Sequence, residues 1–444
     1  MGLTADLGRF VATLDERDLP DGARAVVRRG LADTWGVLCA GRGEPVVGHA
    51  LSLVSMGAPG EADLLAGRGR AGAPDAALVN ATAGHALDYD DTGLDGHPSV
   101  VLAPAVLAEA EAQGRSWRAL TAAYVAGYET WAELIARDAD QHHGKGWHPT
   151  AVFGTVAAAA AGAVLHRMDA DRAAHALGLA ASMAAGLVAN FGSMTKPLQV
   201  GFAARNGLLA ARLAARGATA SPDALESPRG FLAALSPAGR VDRSRPVAAG
   251  APWQILQQGL NVKRYPVCYA LHRAVDAALT LHPALQGRVD EIEAIEVTLG
   301  RLQAAMLRAP RPVTALDAKF SAEFAMACAL SRGRLGLAEL RDEVVNEPAL
   351  QALLRRVQVQ VDEDTDAEEP LFSPADRLRV RLRDGTTLDA EPVRRALGHA
   401  SRPIDDAALH AKYRDCGGED PWWQLLMRAD DDATVAAAAP SRPC

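Results

Sequence analysis

Between His85 and Ser99 the chain reads His-Ala-Leu-Asp-Tyr-Asp-Asp-Thr-Gly-Leu-Asp-Gly-His-Pro-Ser. His85, Asp88, Asp90, Asp91, Asp95 and His97 put imidazoles and carboxylates into one short span, and proton transfer is the chemistry within their reach. On a continuous helix His85, Asp88 and Asp91 recur every three residues, so His85 and Asp88 would share a face. The bland alternative is a solvated acidic loop between two Ala-rich helices. A recurrence along the chain argues against it. A polar residue, a proline and then an apolar helical run follow one another at His97-Pro98, His148-Pro149 and Lys196-Pro197, and a related Tyr265-Pro266 follows Lys263 and Arg264. Proline suits the first turn of a helix, so each step places a polar or basic group at a helix start. Helix starts present free N–H groups and partial positive charge, which attract anions. Several of them converging would make a site for a small polycarboxylate.

Asp88, His97, His148, Lys196 and Lys263 can be given roles together. Breaking a C–H bond beside a carboxylate needs a base and cations to hold the developing charge, and expelling hydroxide needs an acid. Imidazole suits both proton steps near neutral pH, and lysines supply point charges for carboxylates. A carboxylate favours imidazolium in a histidine that it meets. Asp88 is therefore expected to split the pair, with His97 as the protonated partner and His148 as the base, although the reverse assignment uses the same residues. Each residue also has a plain structural reading: a cap for His97 and His148, a solvated cation for Lys196, Lys263 or Arg264, and a brace for His85. His142 and His143 read as solvated loop residues, and His166, His175 and His282 as ordinary surface ones.

A chain of 444 residues is long enough for two domains, or for one large domain and a lobe. The formal net charge of −8 leaves no footprint for nucleic acid or an anionic membrane, so basic groups that matter must be local. No apolar run reaches the ~18 residues of a membrane span. The opening Met-Gly-Leu-Thr-Ala-Asp lacks a signal-peptide pattern, so the cytoplasm is the expected location. Cys39, Cys268, Cys328, Cys416 and Cys444 form no Cys-x-x-Cys pair, which speaks against an iron–sulfur or cysteine–zinc site. Cys39 and Cys328 lie in apolar helical contexts and are expected in a core. No His/Asp/Glu set has the spacing of a helical zinc site, and no glycine-rich phosphate loop or nucleophile elbow is present. No metal and no cofactor are expected.

The elements that must position these residues are mainly helical. From Thr4 to about Pro237, apolar periodicity predicts helix after helix. Pro45 opens one through Met56 and Pro74 opens the one carrying Asp88. Further helices span Pro98–Gln113, Trp117–Asp138, Thr150–Met168 and Asp171–Ala185, and one runs from Pro197 to Arg216, stopping at Gly217. The pattern changes near Pro246. Alternation at 295–299, 357–361 and 378–388, with a turn at Asp384-Gly385, predicts strands and a hairpin. Helix returns after Pro392, at Asp405–Tyr413 and Trp422–Arg428. The composition of Asp430–Cys444 predicts disorder. The expected organisation is a helical domain over 1–258, a smaller α+β lobe over 259–396, and a helical return segment with its tail over 397–444.

These blocks resemble the MmgE/PrpD family of 2-methylcitrate dehydratases and cis-aconitate decarboxylases. The resemblance rests on His85-Ala-Leu-Asp-Tyr-Asp-Asp-Thr92 with His97-Pro-Ser99, Gly146-Trp-His-Pro-Thr150, Met194-Thr-Lys-Pro-Leu198, Lys263-Arg-Tyr-Pro-Val-Cys268, and Arg402-Pro-Ile404 with Ala411-Lys-Tyr413. It covers nearly the whole chain. It implies a large helical domain formed by both chain ends, an α+β lid domain, an active site between them, and a metal-independent homodimer. It also implies that Asp88, His97, His148 and Lys196 occupy the catalytic positions, with Lys263, Arg264, Cys268 and Gln199 on the substrate side. The sequence departs from the family in three places: Gln199 follows Lys-Pro-Leu where the family commonly has His, Cys268 stands where the decarboxylase has His, and Phe324 matches the place of a Tyr. The loss of that phenol puts decarboxylation of cis-aconitate in doubt. The expected function is a cofactor-independent lyase on a small di- or tricarboxylate, first of all dehydration of a 2-methylcitrate-like hydroxy acid, or decarboxylation of an aconitate-like acid. An isomerase or epimerase could use the same base and acid. A non-catalytic binding protein would not need two imidazoles.

Overall fold

Small side chains set how closely the helices of this chain approach. In the helix Thr195–Ala215, a Cβ on Gly207 would meet the Ala158 Cβ and the Thr155 carbonyl oxygen at 2.5 Å, and one on Gly201 would meet the Leu78 carbonyl oxygen at 2.6 Å. This helix therefore lies against both Pro149–Leu165 and Ala73–His85 at a separation that only glycine permits. A computed structural model describes residues 2–438 apart from 16, 18, 55–59 and 65–68. The chain separates into two compact units, 1–260 with 406–444, and 261–405.

The first unit is helical. Its main elements are Leu3–Thr13, Ala23–Gly41, Pro45–Leu53, Ala73–His85, Pro98–Ala112, Trp117–Ile135, Pro149–Leu165, Ala170–Met183 and Thr195–Ala215, joined by Asp406–Asp415 and Asp420–Arg428 from the far end of the chain. A ribbon of β1 (Ala62–Asp63) and β2 (Arg70–Ala71), not foreseen from periodicity, is antiparallel. Trp131, Tyr124, Tyr128 and Phe153 are fully buried. The first three also tie down the acidic loop and its surroundings. Trp131 donates to the Leu94 carbonyl at 3.1 Å, Tyr128 to the Gly259 carbonyl at 2.6 Å, and the Tyr124 and Ser99 hydroxyls are 2.6 Å apart. The return segment is stacked onto the Ala23 helix through Trp35 and Trp422, whose ring centroids are 3.8 Å apart.

The second unit is α+β. Its sheet has the order β4 (Val357–Asp362), β3 (Ile292–Gly300), β5 (Arg377–Leu382), β6 (Thr387–Asp389). β3 runs parallel to β4 and antiparallel to β5, with Val297 opposite both Val359 and Leu378. The inward side chains of β3 and β5 form one apolar cluster with the helices His272–Leu285 and Ala322–Arg332. Phe324 and Cys328 lie in it without exposure.

Four sequence expectations change. The helix expected to carry Asp88 stops at His85, so His85 and Asp88 do not share a helical face. Tyr265-Pro266 opens no helix, because regular structure resumes only at Tyr269. The helix opened by Pro45 is assigned to Leu53, and Met56 lies outside the described residues. The segment 430–438, read from composition as disordered, is held by backbone bonds from Arg118 N to the Asp431 carbonyl (2.8 Å) and from Val435 N to the Arg115 carbonyl (2.9 Å). Residues 439–444 lie outside the described residues.

Candidate active site

Four helix ends of the first unit bring the chemistry-bearing side chains together. His85 is the last residue of the Ala73 helix. His97 is the N-cap of the Pro98 helix and His148 that of the Pro149 helix, and Lys196 lies in the first turn of the Thr195 helix. Neither His97 nor His148 uses its ring to cap its own helix, so both imidazoles are left for other work. The loop after His85 reverses sharply. Asp88 adopts φ 53°, as do Leu94 and Asp95 at 51° and 55°, a left-handed conformation that aspartate tolerates better than most residues. Trp131 and Thr150 press on Gly96, where a Cβ would lie 2.8 Å from the indole and 2.9 Å from the Thr150 Oγ1.

Inside this frame Lys196 Nζ donates to Asp88 Oδ1 at 2.9 Å, and His97 Nε2 stands 3.8 Å from the same oxygen. Asp90 lies between two rings. His85 Nδ1 is 2.9 Å from its Oδ1, and His97 Nδ1 is 2.9 Å from its Oδ2, the latter a charge contact without hydrogen-bond alignment. The rings of His85 and His97 meet edge to face at 4.6 Å, and His85 and His148 are 6.2 Å apart. Phe191 turns its edge to His148 at 4.9 Å and carries the Lys196 ammonium at 5.0 Å. His148 Nδ1 is 2.7 Å from Gln199 Oε1.

Burial dominates the electrostatics. It pushes His85 down to about 4 against the opposing pull of Asp90, with Lys196 and His97 adding to the decrease. It pushes His148 well below the usual imidazole range, reinforced by His85 and Lys196 and only partly opposed by the bond to Gln199. Burial would raise Asp90, but His85 and His97 outweigh it and hold this carboxyl far below the usual range. Asp90 is thus an anion and His148 a neutral ring.

The back of the loop has its own charge layer. Lys412 from the return segment lies 2.6 Å from Asp33, donates to the Tyr89 carbonyl at 2.8 Å and sits over the Tyr89 ring at 4.1 Å. Asp91 faces this side and accepts from Ser99 N at 3.3 Å. Burial raises Asp33 against the pull of Lys412, with Asp90 adding to the rise, and burial raises Asp91, with the charge of Asp33 adding to it.

Asp88, His97, His148, Lys196 and Gln199 are therefore gathered in one place in the first unit. Lys263, Arg264 and Cys268 belong to the second. There Lys263 is buried, Arg264 covers the Tyr265 ring at 5.6 Å and lies 4.0 Å from Asp276, and Cys268 N–H donates to the Lys319 carbonyl at 2.9 Å. The pairing expected between Asp88 and His97 is looser than expected. Lys196 takes Asp88, and Asp90 is the carboxylate close to His97. Sequence reasoning named Asp90 without giving it a role, weighed His85 as a brace, and missed Phe191 and His143. His142 and His143, read as solvated, are buried and half-buried. His142 packs edge-on against Phe153 at 4.9 Å, and burial, His97 and Lys196 bring His143 down to about 4. His166, His175 and His282, read as surface residues, bind Glu109, the Ala220 N–H and the Leu330 carbonyl. Among the described residues His85, Asp88, Asp90 and His97 bring ligand-type atoms within 4.8 Å of one another, a grouping that no helical spacing announces.

Known proteins resemble this chain over most of its length. The family model of the MmgE/PrpD N-terminal domain matches residues 5–244, and that of the MmgE/PrpD C-terminal domain matches 265–419. The chain is 30% identical over 352 residues to a cis-aconitate decarboxylase of Homo sapiens, covering 76% of this chain and 71% of the relative. It is 27% identical to the cis-aconitate decarboxylase of Mus musculus, over 93% of this chain and 86% of the relative. A 2-methylcitrate dehydratase of Cupriavidus necator is 32% identical over 157 residues, 33% of this chain and 31% of the relative.

Proposed function

The chain belongs to the MmgE/PrpD family, and from that premise we propose that it is a cofactor-independent lyase on a small di- or tricarboxylate. The observation that carries the proposal is a neutral, buried imidazole, His148, beside the Lys196–Asp88 pair and His97 at converging helix N-termini. In a dehydration, His148 takes the proton from the carbon next to a carboxylate. His97, standing between Asp90 and Asp88, gives a proton to the departing hydroxyl, which leaves as water while the C–H electron pair becomes a C=C bond. Lys196 and the N–H groups of the helix starts hold the substrate carboxylates. A base is needed for that reaction, and His148 suits it, so dehydration of a 2-methylcitrate-like acid is the first reading.

Decarboxylation of an aconitate-like acid is the second. It is favoured by the reach of the relatives named for it, which cover 76% and 93% of this chain against 33% for the dehydratase. In that reaction the C–C bond to one carboxylate breaks, CO2 leaves, its electron pair shifts the double bond, and His97 protonates carbon. Phe324 weighs less against it than the sequence suggested, because this side chain is buried in the apolar cluster of the second unit.

Citrate-like, methylcitrate-like and aconitate-like acids, offered separately in heavy water, distinguish these reactions by loss of water, release of CO2 and the position of deuterium. Turnover of none of them would sink the proposal. Deuterium entering recovered acid without loss of water or CO2 would make the enzyme an epimerase instead.

The site needs no metal in this reading, because Lys196 already holds Asp88 and two rings already face Asp90. The thiols of Cys328 and Cys416, which form no disulfide, support a reducing compartment such as the cytoplasm. No helix among the described residues is long and apolar enough to cross a membrane. Met194, Phe202 and Leu213 leave 48%, 38% and 45% of their surface exposed along one side of the Thr195 helix, which supports a homodimer that covers them. A monomeric mass by light scattering at micromolar concentration would remove that part of the proposal.

A further inference from the structure

Gln199 lies in the first turns of the Thr195 helix, and its surroundings leave its amide one orientation. One end lies 3.1 Å from the Leu187 carbonyl oxygen, which can only accept, so that end is the amide nitrogen. The oxygen then faces His148 Nδ1 at 2.7 Å. An amide oxygen also only accepts, so Nδ1 must donate. A neutral imidazole has one N–H. We propose that Gln199 is a positioning residue that fixes the tautomer of His148, keeping the proton on Nδ1 and the lone pair on Nε2. Its catalytic meaning rests on the lyase reading above, in which that lone pair is the base.

The fit is close from every side. Gly186 accepts from His148 N–H through its carbonyl at 3.0 Å, and a Cβ on it would meet the Ala151 Cβ at 2.5 Å and Gln199 Oε1 at 3.1 Å. His148 and Gln199 are both buried. Nε2 has no hydrogen-bond partner among the described residues. The charged and titratable groups that act on this ring are His85, Lys196 and His97, each of which disfavours its protonation, and Gln199 adds a dipole in place of a charge. A histidine at position 199 could present either a donor or an acceptor to His148. A glutamine anchored at its far end presents only the acceptor.

The test is nitrogen NMR of the full-length protein with 15N-labelled histidine, with the His148 signals identified by their loss in His148→Gln. The expected wild-type result at neutral pH is a protonated Nδ1 and an unprotonated Nε2. A proton on Nε2 overturns the inference, and this measurement needs no variant at position 199 to fold. Gln199→Glu puts a carboxylate on Nδ1, so the titration of His148 and the acid limb of kcat/KM should move up by about one unit or more. An unmoved His148 titration in that variant also overturns it. Gln199→Leu should let the two tautomers mix and lower kcat roughly tenfold or more with KM little changed. The inference and the lyase reading fail separately. A correct tautomer with no turnover of any acid leaves Gln199 in its role and removes the lyase, whereas turnover with the proton on Nε2 does the reverse.

Discussion

Lys196 and Asp88 form the lysine–carboxylate pair on the front side of the acidic loop, and its strength can be measured by a double-mutant cycle. The charges are 2.9 Å apart, and each side chain is 10% exposed. At an effective dielectric constant of about 20 the gross attraction is ~6 kcal/mol, most of which offsets the cost of taking both ions from water. Removing one partner leaves a buried charge, which costs about 3–5 kcal/mol. His97 Nε2, 3.8 Å from the same Asp88 oxygen, can move in as a donor and cover part of that loss when Lys196 is removed. The expected destabilisation by Lys196→Met is therefore at the lower end, about 3 kcal/mol. The double variant with Asp88→Asn should be less destabilised than the sum of the two single variants by about 2 kcal/mol. Urea unfolding at pH 7.5, followed by tryptophan fluorescence, is the assay. Trp35, Trp117, Trp131, Trp147, Trp253, Trp422 and Trp423 all lie in the first unit, so the signal reports the unit that holds the pair. Single-variant losses that add to within about 0.5 kcal/mol, with unchanged m values, would refute the pairing and return Lys196 to a role in substrate binding alone.

Stability should fall with acidification across the imidazole range. His85 titrates near 4 in the fold and near 6.5 when unfolded, so the unfolded state binds the extra proton between those values, and about 3 kcal/mol is lost by pH 4. Asp33 and Asp91, raised by burial, contribute with the opposite sign in the carboxylate range, so a melting temperature that rises steadily from pH 6.5 to 4.5 would refute the dominance of the imidazoles. Dialysis against a chelator should leave turnover unchanged. Loss of activity restored by one divalent metal would instead make His85, Asp88, Asp90 and His97 a metal centre. The adjacent carboxylates should respond differently to amidation. Asp90→Asn removes the negative charge that faces both His85 and His97 and should cost about 1.5–3 kcal/mol together with activity, whereas Asp91→Asn relieves a buried repulsion with Asp33 and should cost less than about 1 kcal/mol by the same urea assay. Equal losses for the two would show that both aspartates face the same partners.

Helices were legible because their apolar runs are long and begin at Pro45, Pro98 and Pro149, where proline at the first turn writes the boundary into the sequence. His97, His148 and Lys196 were legible for the same reason, since X-Pro at a helix start puts the preceding side chain at the mouth of the helix. Lys412 was visible only as part of a resemblance. Its partner Asp33 lies near the other end of the chain, and no local pattern joins them. His143 was misread because the polar stretch Gln141–Lys145 has the composition of a surface loop, while its burial depends on the packing of the loop that carries Phe191. Phe191 itself follows a single turn of 3-10 helix, Val188–Asn190, which no periodicity signals.

The acidic loop was read with the wrong period. A spacing of three suggested a helical face with His85, Asp88 and Asp91 together. The contacts follow a spacing of two, as in extended chain. Asp88 and Asp90 meet Lys196, His85 and His97 in front, while Tyr89 and Asp91 meet Lys412, Asp33 and Ser99 behind. Alternation of this kind lets four consecutive polar residues be buried at once, because each carboxylate finds opposite charge or a hydrogen-bond donor on its own side. It also explains why the helix must stop at His85. One more helical turn would carry Asp88 and Asp91 to the same side, and the cations available to them, Lys196 in front and Lys412 behind, are on different sides. The left-handed Asp88 makes the change from helical to alternating chain within three residues of His85. The arrangement in front therefore depends on a structural ion pair behind, whose lysine comes from the return of the chain's far end to the first unit.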